Sequence, residues 1–171
     1  MDFYDAVKTR RSYRIFKADI PEDEKVERIL NSGRLAPTWA NTQCVSYIVV
    51  QKPENVKAVW EAVGQAQKFA QAPMFIVGVV SEKASGTNSN GEKYYGVDFG
   101  ICFEHLILAA TAEGLGTCWI GWFNEGKVKL ALGIPEDYKV MGITPLGYPV
   151  KPKGEITERK SLDKIVHYEK F

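Results

Sequence analysis

The chain has 171 residues, 45% hydrophobic and 25% charged, and its 22 Lys and Arg against 21 Asp and Glu leave a net charge of +1. That is the length of a single domain spanning residues 1–171, able to bury roughly 70% of its unfolded surface, and the composition excludes a disordered chain. The near-zero charge balance gives no sign of nucleic-acid or membrane binding, although it leaves room for a local anion site.

Asp2 is placed to cap a short helix through about Lys8, with Phe3, Ala6 and Val7 on one face. The basic run Arg10-Arg11-Ser12-Tyr13-Arg14 follows. Pro21-Glu22-Asp23-Glu24 then opens a second helix, with Pro and acids in the first turn as the helix dipole prefers. Val26, Ile29, Leu30 and Gly33 form its inner face, and Pro37 stops it. Tyr47–Val50 reads as a buried strand, Lys52-Pro53-Glu54 as a turn, and Val56 to about Ala70 as a helix. Met74–Val80 is a second strand with no charge in it. Ser81–Gly91, rich in Gly, Ser and Asn, reads as a mobile surface loop.

Val97 to Glu113 reads as a helix that is apolar nearly all round, stopped by Gly114 and Gly116. Such a helix must be covered on every side, either at the centre of one subunit or in a symmetric dimer. Thr117–Gly121 is short and extended. Asn124 caps a helix through Leu132, stopped by Gly133 and Pro135. Tyr138–Leu146 is the last strand, and the tail from Lys151 is polar until Leu162. The order α, α, β, α, β, α, β, α, β argues for a layered α/β or α+β domain.

Cys44, Cys102 and Cys118 are odd in number and widely spaced, which suits reduced thiols in the cytoplasm. The first residues lack a signal-peptide pattern, and Asp98, Glu104, His105 and Glu113 interrupt the most apolar stretch, so no membrane span is expected. Gly121 to Lys127 copies the spacing of a P-loop, but Val128 stands where a Mg²⁺-binding Ser or Thr is needed, which excludes nucleoside triphosphate chemistry. His105 and His167 have no ligand partners at metal spacing, so no metal site is expected, and Cys118 reads as a small buried thiol.

Three features carry chemistry. The three guanidinium groups and the hydroxyl of Arg10, Arg11, Ser12 and Arg14 make an anion site, because guanidinium pairs bidentately with phosphate oxygens; a solvated basic turn is the bland alternative. In Pro37-Thr38-Trp39-Ala40-Asn41-Thr42-Gln43, the amides offer donors and acceptors to a heterocycle and Trp39 offers a stacking face. Arg159 and Lys160, far along the chain, form a second basic pair able to converge on the same anion.

In this order, Arg10–Arg14, Leu35–Gln43, Leu108-Ala109-Ala110 with Gly114–Thr117, Pro145–Pro149 and Arg159–Leu162 resemble the FMN-dependent nitroreductase family across nearly the whole chain. The resemblance implies an α+β nitroreductase-like fold, with a mixed central β-sheet flanked by helices, in a homodimer holding FMN at its interface. It implies that Arg10, Arg11, Ser12, Arg14, Arg159 and Lys160 meet the FMN phosphate and ring edge. It further implies that Pro37, Thr38, Trp39, Asn41 and Gln43 reach the flavin from the partner subunit, and that Trp119, Ile120 and Gly121 lie beside the ring. The implied activity is ping-pong two-electron transfer from NADH or NADPH through FMN to an electron-poor acceptor such as a nitroaromatic or quinone, with no side-chain catalyst. The alternatives on the same fold are a non-catalytic flavin-binding protein and a specialised dehalogenating or flavin-processing relative. Cys44 and Val45 depart from the Pro and Trp that often follow Gln43 in the family. Trp39 replaces a residue that is often small, which puts it on the substrate side.

Overall fold

A computed structural model describes residues 1–64 and 72–171. The helix ends follow local chemistry. Asp2 accepts the Asp5 N–H at 2.9 Å and opens α1 (Phe3–Thr9). Asp23–Arg34 forms α2, and a single 3₁₀ turn at Trp39–Asn41 leads into β1 (Val45–Val50). Helix α3 (Pro53–Val63) starts earlier than the apolar spacing suggests, because Pro53 takes the first helical position, where its missing N–H costs nothing. It ends at Gly64, whose φ of 66° breaks the helical path, and residues 65–70 of the expected helix lie outside the described residues. Met74–Ser81 is β2, Tyr95–Ala112 is α4 and Gly116–Thr117 is β3. The Asn124 side chain accepts the Lys127 N–H at 2.9 Å to open α5 (Glu125–Leu132), and Gly133 closes it at φ 65°. Tyr138–Gly147 is β4.

The strands lie in the order β1-β2-β4-β3 and pair antiparallel; the parallel part of the sheet is a bridge between Ser12 and Thr117. Strand β2 is buried on both faces, which is why it reads as one apolar run. Met74, Ile76 and Val80 point to the side covered by α4 and α2. Phe75, Val77 and Val79 point to the side covered by α3 and α5. Period-two alternation along one strand therefore supplies two cores. Among the described residues no helix is long and apolar enough to cross a membrane.

The segment after β2 is knit rather than open. Asn88 accepts the amides of Asn90 and Glu92 at 2.9 Å each, and Thr87 bridges Lys93.

Gly78 of β2 pairs directly with Gly142 of β4 beneath α4. A Cβ at Gly78 would clash with the Phe99 ring, and one at Gly142 would lie 3.0 Å from it. The two glycines leave a slot in the sheet into which Phe99 sinks, itself stacked on Phe103 at 4.8 Å. Filling that slot should destabilise the fold. We expect Gly78→Ala to cost about 1–3 kcal/mol in urea unfolding, with Gly100→Ala, where a Cβ meets nothing within 4 Å, as the benign control.

Candidate functional site

The basic run after α1 is held against the sheet by its backbone. Tyr13 donates its N–H to Thr117 O at 2.8 Å, and Lys17 donates to Tyr148 O at 2.8 Å. The tail returns alongside it. Lys153 donates from its backbone to the Tyr13 hydroxyl (3.1 Å) and from Nζ to Ser12 O (2.7 Å), and Ile156 N–H reaches Lys8 O (3.2 Å). Arg11 clamps this return, since its Nη1 donates to Gly154 O and Glu155 O at 2.9 and 3.0 Å. The result is a pocket of about 310 Å³ lined by Arg10, Arg11, Ser12, Arg14, Lys153 and Arg159, with Ile156–Glu158 forming part of its wall. The two basic clusters, some 145 residues apart in sequence, thus converge on one pocket. Lys160 is exposed and does not line it.

A second group stands next to it. The Trp119 indole packs edge-on against Phe99 and Phe103 at 5.6 and 4.7 Å, and its Nε1–H donates to Glu104 Oε2 at 3.0 Å. The other oxygen of Glu104 lies 3.9 Å from Arg10 Nε. One carboxylate on α4 therefore joins Trp119 to Arg10. Ile120 exchanges backbone hydrogen bonds with Ile143, so Trp119–Gly121 is fixed to β4. Cys118 is buried, as expected.

The loop with Pro37, Thr38, Trp39, Asn41 and Gln43 is elsewhere. Gln43 N–H donates to Thr38 Oγ1 at 3.0 Å, and Ala40, Asn41 and Gln43 all have positive φ. Thr38 and Gln43 line a different cavity, of about 490 Å³, with Arg34 and Tyr47; none of the Arg10–Arg14 group lines it. Within one chain, then, this loop and the basic pocket do not form a common site. Burial, and behind it a hydrogen bond to Asp98, pushes the neighbouring Cys44 thiol up to about 11, well outside the range of a reactive cysteine.

Sequence reasoning missed Lys153, Glu104 and Asp98. Each is an ordinary charged residue in an unremarkable stretch, and its role follows only from what the fold sets beside it.

The model of the nitroreductase family matches residues 7–95 and 61–148 of the chain. A protein of Archaeoglobus fulgidus, named as a candidate NADH dehydrogenase/NAD(P)H nitroreductase, is 34% identical, with 95% of each chain covered. The crystal structure of a nitroreductase family protein from Clostridium novyi superimposes with a TM-score of 0.83 at 36% identity, covering 87% of this chain and 86% of that one. An FMN-dependent nitroreductase from Clostridium difficile gives a TM-score of 0.83 at 26% identity, over 97% of this chain and 98% of that one. The chain belongs to the nitroreductase family.

Proposed function

We propose that the protein is an FMN-dependent oxidoreductase using NADH or NADPH as electron donor. The observation that carries this reading is the convergence of Arg10, Arg11, Arg14, Lys153 and Arg159 on a single pocket with the Ser12 hydroxyl. The chemistry of that donor set fits a phosphate monoester, since planar guanidinium groups bind its oxygens in pairs. The names of the relatives from Archaeoglobus fulgidus and Clostridium difficile support the donor and the cofactor.

FMN, when bound, supplies the two-electron chemistry between the nicotinamide and an electron-poor acceptor such as a nitroaromatic or quinone. The residues of the chain have distinct tasks around it. Arg14 is exposed and, among the described residues, has no ion-pair partner, so its guanidinium is available to an anion. Arg11 and Lys153 are committed to backbone carbonyls and shape the pocket by holding the tail. Glu104 orients Arg10 and Trp119 together. Trp119, Ile120 and Gly121 then form a wall fixed to the sheet.

The working unit in this reading is a homodimer. The loop of Pro37–Gln43 does not line the basic pocket of its own chain, so in this reading a second copy brings the two together. The surface supports this: Phe3, Tyr4 and Val7 of α1, Val97 of α4, Trp122 and Leu162 are all exposed in the single chain. A solution mass of twice the chain mass with cofactor bound is the expected result, and a monomer retaining the cofactor would overturn the two-copy site.

The direct test is an absorption spectrum of the purified protein before and after anaerobic addition of each nicotinamide. A yellow protein bleached by NADH or NADPH is expected; a colourless protein that refuses added FMN would refute the reading. Arg14→Ala should weaken FMN binding roughly 10- to 100-fold, as loss of a charged hydrogen bond does, and leave the unfolding midpoint nearly unchanged. Arg11→Ala should also expose the tail, seen as faster proteolytic cleavage between 150 and 160. Trp39→Ala should shift the ratio of nitroaromatic to quinone turnover while FMN stays bound; identical ratios would remove Trp39 from the substrate side.

A further inference from the structure

Asp98 lies in the first turn of α4 and is 2% exposed, yet the pocket and the wall beside it make no use of it. A carboxylate tolerates such burial only when its oxygens are well supplied with donors. Three donors from two loops supply them. Trp39 donates its backbone N–H to Oδ1 at 2.8 Å, the Ser85 hydroxyl donates to Oδ2 at 2.9 Å, and the Cys44 thiol donates to Oδ2 at 3.3 Å. The positive end of the α4 dipole favours the charge in the same place.

Two of those donors bracket the loop from Thr38 to Cys44, and the third stands on the loop from Glu82 to Tyr94. The two loops also meet at Trp39. Its ring lies 4.5 Å from that of Tyr94, and Gly86 is so close to the indole that any Cβ there would clash. The outer loop is preformed: Tyr94 N–H bonds Gly86 O at 3.0 Å, and Asn88 caps its own turn. The inner loop has turn bonds of its own, from Asn41 N–H to Thr38 O, Thr42 N–H to Trp39 O and Gln43 N–H to Thr38 Oγ1, yet Ala40 and Gln43 hold positive φ without being glycine, a strained conformation that the bonds to Asp98 help to hold.

We propose that Asp98 is a positioning residue that fastens the Trp39 loop to the outer loop, so that the outer loop sets how Trp39 meets the electron acceptor. The proposal rests on the reading of Trp39 as facing that acceptor. Asp98 touches neither cofactor nor acceptor in this scheme; it acts through the two loops. Ser85 is the sensitive point, because among the described residues it makes the one side-chain hydrogen bond from the outer loop to the carboxylate, and its loss leaves Asp98 with the two donors of the Trp39 loop.

The experiment compares Ser85→Ala, Ser85→Thr and Asp98→Asn with the unaltered holoenzyme. Alkylation of Cys44 by iodoacetamide, located by mass spectrometry, reports whether the pin is intact without reference to flavin. Steady-state KM and kcat with a nitroaromatic and a quinone, and the anaerobic bleaching rate with nicotinamide, report its effect on turnover. We expect Ser85→Ala to alkylate roughly 10-fold faster and to raise the acceptor KM several-fold, with the bleaching rate unchanged, and Ser85→Thr to restore both. Asp98→Asn should exceed Ser85→Ala in both respects. Unchanged alkylation in a folded Ser85→Ala protein would show that the loops are not fastened through Asp98. Faster alkylation with no change in acceptor KM in either variant would refute the positioning role. If the protein takes up no flavin, the oxidoreductase reading fails by itself, and the alkylation rates still decide whether the pin exists.

Discussion

The arrangement depends on two missing side chains. Because Gly78 and Gly142 face each other across β2 and β4, α4 can lower Phe99 between them and lie close on the sheet. Everything near the candidate site is referenced to that seat. Phe99 and Phe103 present a ring surface on which Trp119 stands edge-on, and Trp119 in turn binds the carboxylate beside Arg10. One residue before Phe99, Asp98 is turned toward the loops at 38–44 and 85. A residue with a Cβ in the slot would move α4 outward, and since interiors are close-packed, the shift would pass to both groups at once.

The same helix bears on the proposed second copy. Its inner face is consumed by the sheet and α2, leaving Val97 and the apolar surface of α1 toward solvent. The sequence shows only that the helix is apolar all round, which allows either a central helix or an interface. In the structure Val97 and the apolar residues of α1 face solvent, and the Pro37–Gln43 loop does not line the basic pocket. Both facts fit the proposed second copy, which would cover the apolar side and bring a loop of its own to the pocket.

What could be read in the sequence was local. The cap at Asn124, the stop at Gly133 and the cap at Asp2 depend on neighbours within a few residues, and each stands where residue type alone puts it. Helix α3 shows the limit of apolar spacing: Pro53 starts it three residues before Val56, where the apolar pattern begins, and Gly64 sets its C-cap. The basic run at Arg10–Arg14 was visible as a possible anion site, but its partner Lys153 was not, because nothing near Lys153 in sequence marks it. Asp98 and Glu104 looked like interruptions of an apolar helix. Their value lies in donors brought from residues 39, 44, 85 and 119, and no reading of α4 alone contains those.

The cost of assembling the basic pocket also bears on what it is for. Arg10, Arg11, Arg14, Lys153 and Arg159 carry like charge into about 310 Å³, and like charges at that spacing repel strongly near a protein surface. Part of the repulsion is offset by carbonyl oxygens: Ser12 O takes Lys153, Gly154 O and Glu155 O take Arg11, and Glu158 O takes Arg159. Glu104 offsets Arg10 only at 3.9 Å. Carbonyl dipoles neutralise no net charge, and Glu158 is the one acidic residue in a lining that holds five cations, so the pocket keeps an excess of positive charge in a chain whose total is +1. A fold that needed these cations only for stability would pair them with carboxylates, as Arg28 pairs with Glu113 at 2.7 Å on the outside of α2. Here, apart from the long Arg10–Glu104 contact, the bonds go to backbone oxygens, which hold the side chains in place and in the proposed function leave their charge available to a dianion.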